Sequence, residues 1–165
     1  MTGPRVGGLF VTGTGTGVGK TVLAAALAAG EAAAARGATL IVEGVGGLLV
    51  PLAGGLSMRE LAVRLGLPAL IAAAPGLGTI NHTLLTLEGA RAAGLDVRAV
   101  VLTPWPERPA AIERSNRETI ARLGDVEVEV LAHLPGPELD ALANAGAQLP
   151  WRRWLARQRC VSSDA

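Results

Sequence analysis

Val11-Thr12-Gly13-Thr14-Gly15-Thr16-Gly17-Val18-Gly19-Lys20-Thr21 separates a short apolar run, Leu9-Phe10-Val11, from an Ala- and Leu-rich stretch over residues 19–36. The first run reads as a buried strand and the second as a helix that Gly37 ends. Glycines between strand and helix let the backbone curl with its N–H groups turned inward, a nest for phosphate oxygens. The helix that follows presents its positive end to the same anion. Lys20 then reaches the β- and γ-phosphates, and the Thr21 hydroxyl is suited to Mg²⁺. The spacing departs from the common phosphate loop, which needs a glycine five residues before Gly19: position 14 is Thr, so the first usable glycine is Gly13, six residues before Gly19. The competing reading is a glycine-rich turn with a chance Lys-Thr, which the strand–loop–helix setting disfavours.

Downstream, apolar runs alternate with helical stretches. Strands are expected at residues 39–42, 69–73, 97–102 and 126–131. Helices are expected at residues 57–65, with Ser57 as N-cap and Glu60 three residues on, and at 79–93, 110–123, 137–145 and 151–157. That alternation predicts an α/β fold, a three-layer sandwich around a mostly parallel sheet. At 165 residues the chain suits one nucleotide-binding domain over residues 1–157, with a frayed tail at 158–165. Hydrophobic residues make up 50% and aromatic residues 2%, so the core must be Leu, Val, Ile and Ala. A net charge of +1 offers no basic field for nucleic acid or an anionic membrane. The single Cys160 fits a reducing cytoplasm, and the apolar runs are too short or too interrupted for a membrane span.

Leu40-Ile41-Val42-Glu43-Gly44-Val45-Gly46-Gly47 is a second marked stretch: an apolar strand that ends in a carboxylate and then glycines. A carboxylate there can face the phosphate loop and hold Mg²⁺ directly or through water. The plainer reading is a polar residue ending a strand. Other polar residues read as structural. His82 reads as a helix-terminus or packing residue more than a catalytic base, and His133 as a surface residue or a neighbour of the base. Glu127 and Glu129 read as a solvated strand face, the arginines at 152, 153, 157 and 159 as a solvated helix face, and Trp105 as a loop anchor.

Three segments together resemble dethiobiotin synthetase, the ATP-dependent enzyme that closes the ureido ring in biotin synthesis. They are the loop from Phe10 to Thr21 with its extra residue, the stretch from Val42 to Leu52, and Leu77-Gly78-Thr79-Ile80-Asn81-His82-Thr83-Leu84-Leu85-Thr86 at a helix start. Trp105-Pro106-Glu107-Arg108-Pro109, followed by Ser115-Asn116-Arg117, looks like actinobacterial members. The resemblance implies a P-loop fold, and ATP with Mg²⁺. The loop residues Gly13, Thr14, Gly15, Thr16, Gly17, Val18, Gly19, Lys20 and Thr21, with Val22, would hold the triphosphate; Lys20 and Thr16 are its catalytic candidates. Thr21 and Glu43 would hold Mg²⁺, with Gly44, Val45 and Gly46 beside the nucleotide. Thr103, Pro104, Pro135 and Gly136 would lie near the base. Leu77, Gly78, Thr79 and Asn81 would present N–H groups to the carboxylate of 7,8-diaminononanoate across a homodimer interface, with CO₂ or bicarbonate as the third substrate.

The chain also departs from that family. There, the first helix leads into a strand carrying a catalytic Lys in Lys-Pro-Val, then a Ser or Thr for the substrate and an Asp for Mg²⁺. Here Ala35-Arg36-Gly37-Ala38-Thr39 runs straight into Leu40, and Lys20 is the only Lys in the sequence. Two expectations follow. Either the chain is shortened and binds nucleotide with impaired catalysis, or a gap lies between residues 35 and 40. A real deletion should leave an apolar sheet edge exposed. A partitioning-type ATPase and a cobyrinate-amidating ligase are the rival readings; their loops usually lack the extra residue.

Overall fold

The computed structural model describes residues 7–34 and 39–155. Five parallel strands form the central sheet in the order β2-β1-β5-β6-β7: β2 Leu40–Glu43, β1 Gly8–Gly13, β5 Ala69–Ala73, β6 Val97–Trp105 and β7 Glu127–Ala132. Helices α1 (Lys20–Ala33), α2 (Met58–Leu65), α3 (Thr79–Ala92), α4 (Ala111–Gly124), α5 (Leu139–Gln148) and α6 (Trp151–Leu155) flank it. The expected α/β P-loop sandwich is what the chain forms. Residues 35–38 and 156–165 lie outside the described residues, and with them the suspected gap, the last turns expected of α1 and α6, and the tail.

Alternation along the buried strands sorts side chains to the two faces. Leu9, Val11, Leu70, Ala72, Ala99 and Val101 pack with Leu23 and Leu27 of α1, Leu131 and Trp154 on one side. On the other, Phe10 and Ala69 meet Met58, Ala62 and Ala90, while Ile71, Val100 and Leu102 meet Leu87 and Ile120. β5 is buried along its whole length, as a central parallel strand covered on both faces must be.

Four differences from the sequence reading have local causes. A small antiparallel hairpin, β3 (Pro51–Ala53) with β4 (Leu56–Ser57), was not expected; its arms of three and two residues are too short to show a period. β6 runs on to Trp105, so Trp105 ends a strand and is no free loop anchor; it pairs in register with Ala132. α5 is shifted to begin after Pro137 and runs to Gln148. Glu127 and Glu129 are half-buried and partnered: Glu127 accepts from Trp154 Nε1 at 3.0 Å and pairs with Arg153, and Glu129 pairs with Arg117. α6 and α4 cover that strand, which alternation alone could not reveal.

The α2 start matches its signature. Ser57 N–H donates to Glu60 Oε2 at 2.8 Å, and the Ser57 hydroxyl donates to the same oxygen. That hydroxyl, then the backbone N–H and Arg59, hold the Glu60 carboxyl down to about 2 from 4.5. A lowered carboxyl stabilises the fold above its unfolded value and loses that contribution as pH falls toward its folded value. Stability is therefore expected to drop between pH 4.5 and 2. Glu60→Gln should flatten that limb in thermal denaturation across the acid range; an unchanged pH profile would refute the link.

β2 is an edge strand paired only with β1 among the described residues, and Leu40 is 46% exposed.

Candidate functional site

β1 leads to β2 on one side and its other neighbour is β5, so chain order reverses about β1. In open α/β sheets ligands bind at such a reversal, beyond the carboxyl ends of the strands. The loop from Gly13 to Gly19 sits at that point. Thr14 N–H anchors its start on Ala72 O at 3.1 Å. Among the described residues, no backbone carbonyl takes the N–H groups of residues 15–21, until Leu23 N–H reaches Gly19 O at 3.0 Å. A run of unbonded N–H groups at a helix start is an anion seat.

Gly19 stands where no other residue fits. Its φ is +86°, and a Cβ there would lie 2.6 Å from the Thr103 methyl carbon. Thr103, at the top of β6, is 1% exposed and supports the loop from below.

Lys20 is buried to 7% exposure, and its ammonium donates to Gly15 O at 2.7 Å, folded back over its own loop. Thr21 and Glu43 come together across two elements: the Thr21 hydroxyl donates to Glu43 Oε1 at 2.7 Å. The register Val11↔Glu43 puts that carboxylate one strand from the loop. Among the described residues no cluster of three or more His, Cys, Asp or Glu could hold a metal. A hydroxyl and one carboxylate beside an anion seat nevertheless fit Mg²⁺, which keeps waters and shares its coordination with substrate phosphates.

The glycines after Glu43 run along the loop. Gly44 N–H donates to Val11 O at 2.8 Å, a Cβ at Gly46 would lie 3.8 Å from Thr16 Oγ1, and one at Gly47 would lie 3.5 Å from Gly13 O. Thr16 and Val45 are exposed on this rim. Pro104 and Pro135 line one cavity of about 670 Å³ with Trp105, Pro106, Glu107, Ala132 and His133. Thr103 is buried beneath the loop, outside that lining.

The 77–81 segment opens α3 at the carboxyl end of β5. Leu77 is 92% exposed, Thr79 is buried and bonded to Thr83, and Asn81 and His82 are exposed. Leu49 and Leu85 line a second cavity of about 230 Å³ that reaches Thr14. Sequence reasoning assigned no role to Asn116 of α4. Its side chain is 7% exposed and donates to Pro75 O at 2.9 Å and Gly76 O at 3.1 Å. A contact across forty residues leaves no local signal.

Residues 30–144 match the family model described as an AAA domain. The chain is 40% identical over 124 residues to the ATP-dependent dethiobiotin synthetase BioD of Mycobacterium avium (strain 104), which covers 73% of this chain and 55% of that protein. It is 48% identical over 105 residues to the enzyme of the same name from Anaeromyxobacter sp. (strain Fw109-5), covering 58% of this chain and 47% of the relative. The chain thus spans about half the length of the curated relatives it matches. No helix among the described residues is long and apolar enough to cross a membrane.

Proposed function

The chain belongs to the dethiobiotin synthetase family and carries its AAA domain, and on that premise we propose that it binds ATP with Mg²⁺ at the Gly13–Thr21 loop to serve ureido-ring closure on 7,8-diaminononanoate. The observation that carries this is the Thr21–Glu43 pair, 2.7 Å apart, beside a run of unbonded N–H groups. In the proposed binding mode the N–H groups of residues 15–21 take the triphosphate oxygens, and Lys20 swings from Gly15 O to the β- and γ-phosphates. Thr21 and Glu43 would hold Mg²⁺, which when bound offsets charge on the phosphates. Thr16, on the rim, faces the transferring group. The cavity along Pro104 and Pro135 takes the base, while Gly44, Val45 and Gly46 flank the nucleotide.

The reaction proposed is that of the family. One amine of the diamino acid adds CO₂ to give a carbamate and releases a proton. The carbamate oxygen takes the γ-phosphoryl group from ATP, leaving ADP. The second amine then attacks the carbamoyl carbon and expels phosphate. The chain's part is to position reactants and stabilise charge. Leu77, Gly78, Thr79 and Asn81 would receive the substrate carboxylate from a second copy, a homodimer that the exposure of Leu77, Leu49 and Leu85 supports. The single cysteine, Cys160, accords with work in a reducing cytoplasm.

A second reading rests on one specific observation. Lys20 is the only Lys, so the family's second catalytic Lys has no counterpart, and Arg cannot take its place by default. On that reading the chain is a nucleotide binder with impaired chemistry. The full chain, mixed with ATP, Mg²⁺, bicarbonate and diaminononanoate, separates them: dethiobiotin and ADP in equal amounts support the ligase, and ATP binding without product supports the binder. Glu43→Gln should weaken ATP binding by roughly tenfold in Mg²⁺ and little in EDTA. Equal losses in both would refute Glu43 as a metal ligand.

A further inference from the structure

The start of α3 is held from the neighbouring helix. Asn116 sends both amide protons to consecutive carbonyls, Pro75 O at 2.9 Å and Gly76 O at 3.1 Å. Gly76 O also accepts the Thr79 N–H at 3.3 Å, the bond that closes the first turn of α3. One carbonyl therefore links α4 to the first helical residue of α3. At the opposite end of the same pair, Arg91 of α3 donates to Gly124 O and Asp125 O at the end of α4. The two helices are tied at both ends by side-chain-to-backbone bonds.

Peptide planarity turns this tie into aim. In a trans peptide the N–H points opposite to the C=O of the same unit. Fixing the Pro75 and Gly76 carbonyls toward Asn116 fixes the Gly76 and Leu77 N–H groups away from it. Among the described residues, those two N–H groups and those of Gly78, Ile80 and Asn81 meet no backbone carbonyl. Asn is the fitting residue here. Its amide nitrogen carries two donors, whereas the isosteric Asp would set a carboxylate against two carbonyl oxygens.

We propose that Asn116 is a positioning residue that aims the N–H groups of Gly76, Leu77, Gly78, Ile80 and Asn81 at the substrate carboxylate. This rests on the carboxylate-binding reading of that segment given above. A merely structural Asn116 would affect both ligands alike; a positioning one affects the diamino acid alone.

The test uses the full chain with Asn116→Asp and Asn116→Ala. Calorimetry gives the Kd of diaminononanoate and of ATP–Mg²⁺, and hydrogen exchange reads the amide of Thr79. Asn116→Asp should raise the Kd of diaminononanoate about tenfold or more and speed Thr79 exchange by a similar factor, with ATP affinity within about twofold of the parent. Unchanged diaminononanoate affinity and exchange would overturn the proposal, as would equal losses for both ligands. Should the parent chain not bind diaminononanoate, the carboxylate reading fails on its own, and parent-like Thr79 exchange in the variants would overturn the aiming role of Asn116 as well. Should Asn116→Asp fail to fold, Asn116→Ala removes the donors without adding charge and carries the same comparison.

Discussion

Lys20→Ala is expected to weaken ATP–Mg²⁺ binding by roughly a hundredfold, about 2.7 kcal/mol, the scale of charge-assisted hydrogen bonds to a triphosphate. The ammonium is already inside the loop, bonded to Gly15 O at 2.7 Å, so binding exchanges a neutral acceptor for a charged one. Removing a buried ammonium also removes its desolvation cost, and the unliganded variant should melt within a few degrees of the parent. Affinity and stability thus separate, which calorimetry and thermal denaturation measure independently. ATP affinity within threefold of the parent would show that the triphosphate does not lie in this loop. Lys20→Arg should not restore binding, because the planar guanidinium needs more room than the curled loop leaves.

The second large effect lies far from the loop. α1 and α5 cross with backbone against backbone at Gly30 and Gly146. A Cβ on Gly146 would fall against the Ala26 carbonyl, 2.7 Å from its carbon, and one on Gly30 would lie 3.0 Å from Gly146 C. Backbone cannot turn aside as a side chain can, so the helices must separate. Gly146→Ala should cost about 3 kcal/mol, at the top of the overpacking range, and lower Tm by roughly 6–12 °C for a chain of this size. Gly146→Val should cost more. α1 begins at Lys20 and Thr21, so displacement should also weaken nucleotide binding, unlike an ordinary core lesion. A Tm within about 2 °C of the parent would show that the crossing tolerates a methyl group.

How far the sequence alone reaches differs between these sites. The loop, β1, β5 and the α2 capping box were legible because each is local: an apolar run against glycines, or Ser57 three residues before Glu60. Glu43 was legible because a lone carboxylate ending an apolar strand is chemically conspicuous. The Gly30–Gly146 crossing and the Asn116 tie were not, since each joins residues far apart in the chain and neither has a periodic signal. The β3–β4 hairpin was too short for one, and Trp105 among prolines concealed a strand that simply continues. Cover on Glu127 comes from α6, which local alternation cannot register.

The open flank of the sheet has a consequence of another kind. Among the described residues, β2 offers a row of unpaired backbone groups with a half-exposed Leu40 at one end, a template an extended chain can join. Its guards are brevity, four residues, and the charge of Glu43 at its far end. Self-assembly through that flank grows with protein concentration, whereas folding within one chain does not. Where such joining occurs, the amount of usable protein would depend on concentration as well as on intrinsic stability, and dilution would protect it where added stabilising contacts in the core would not.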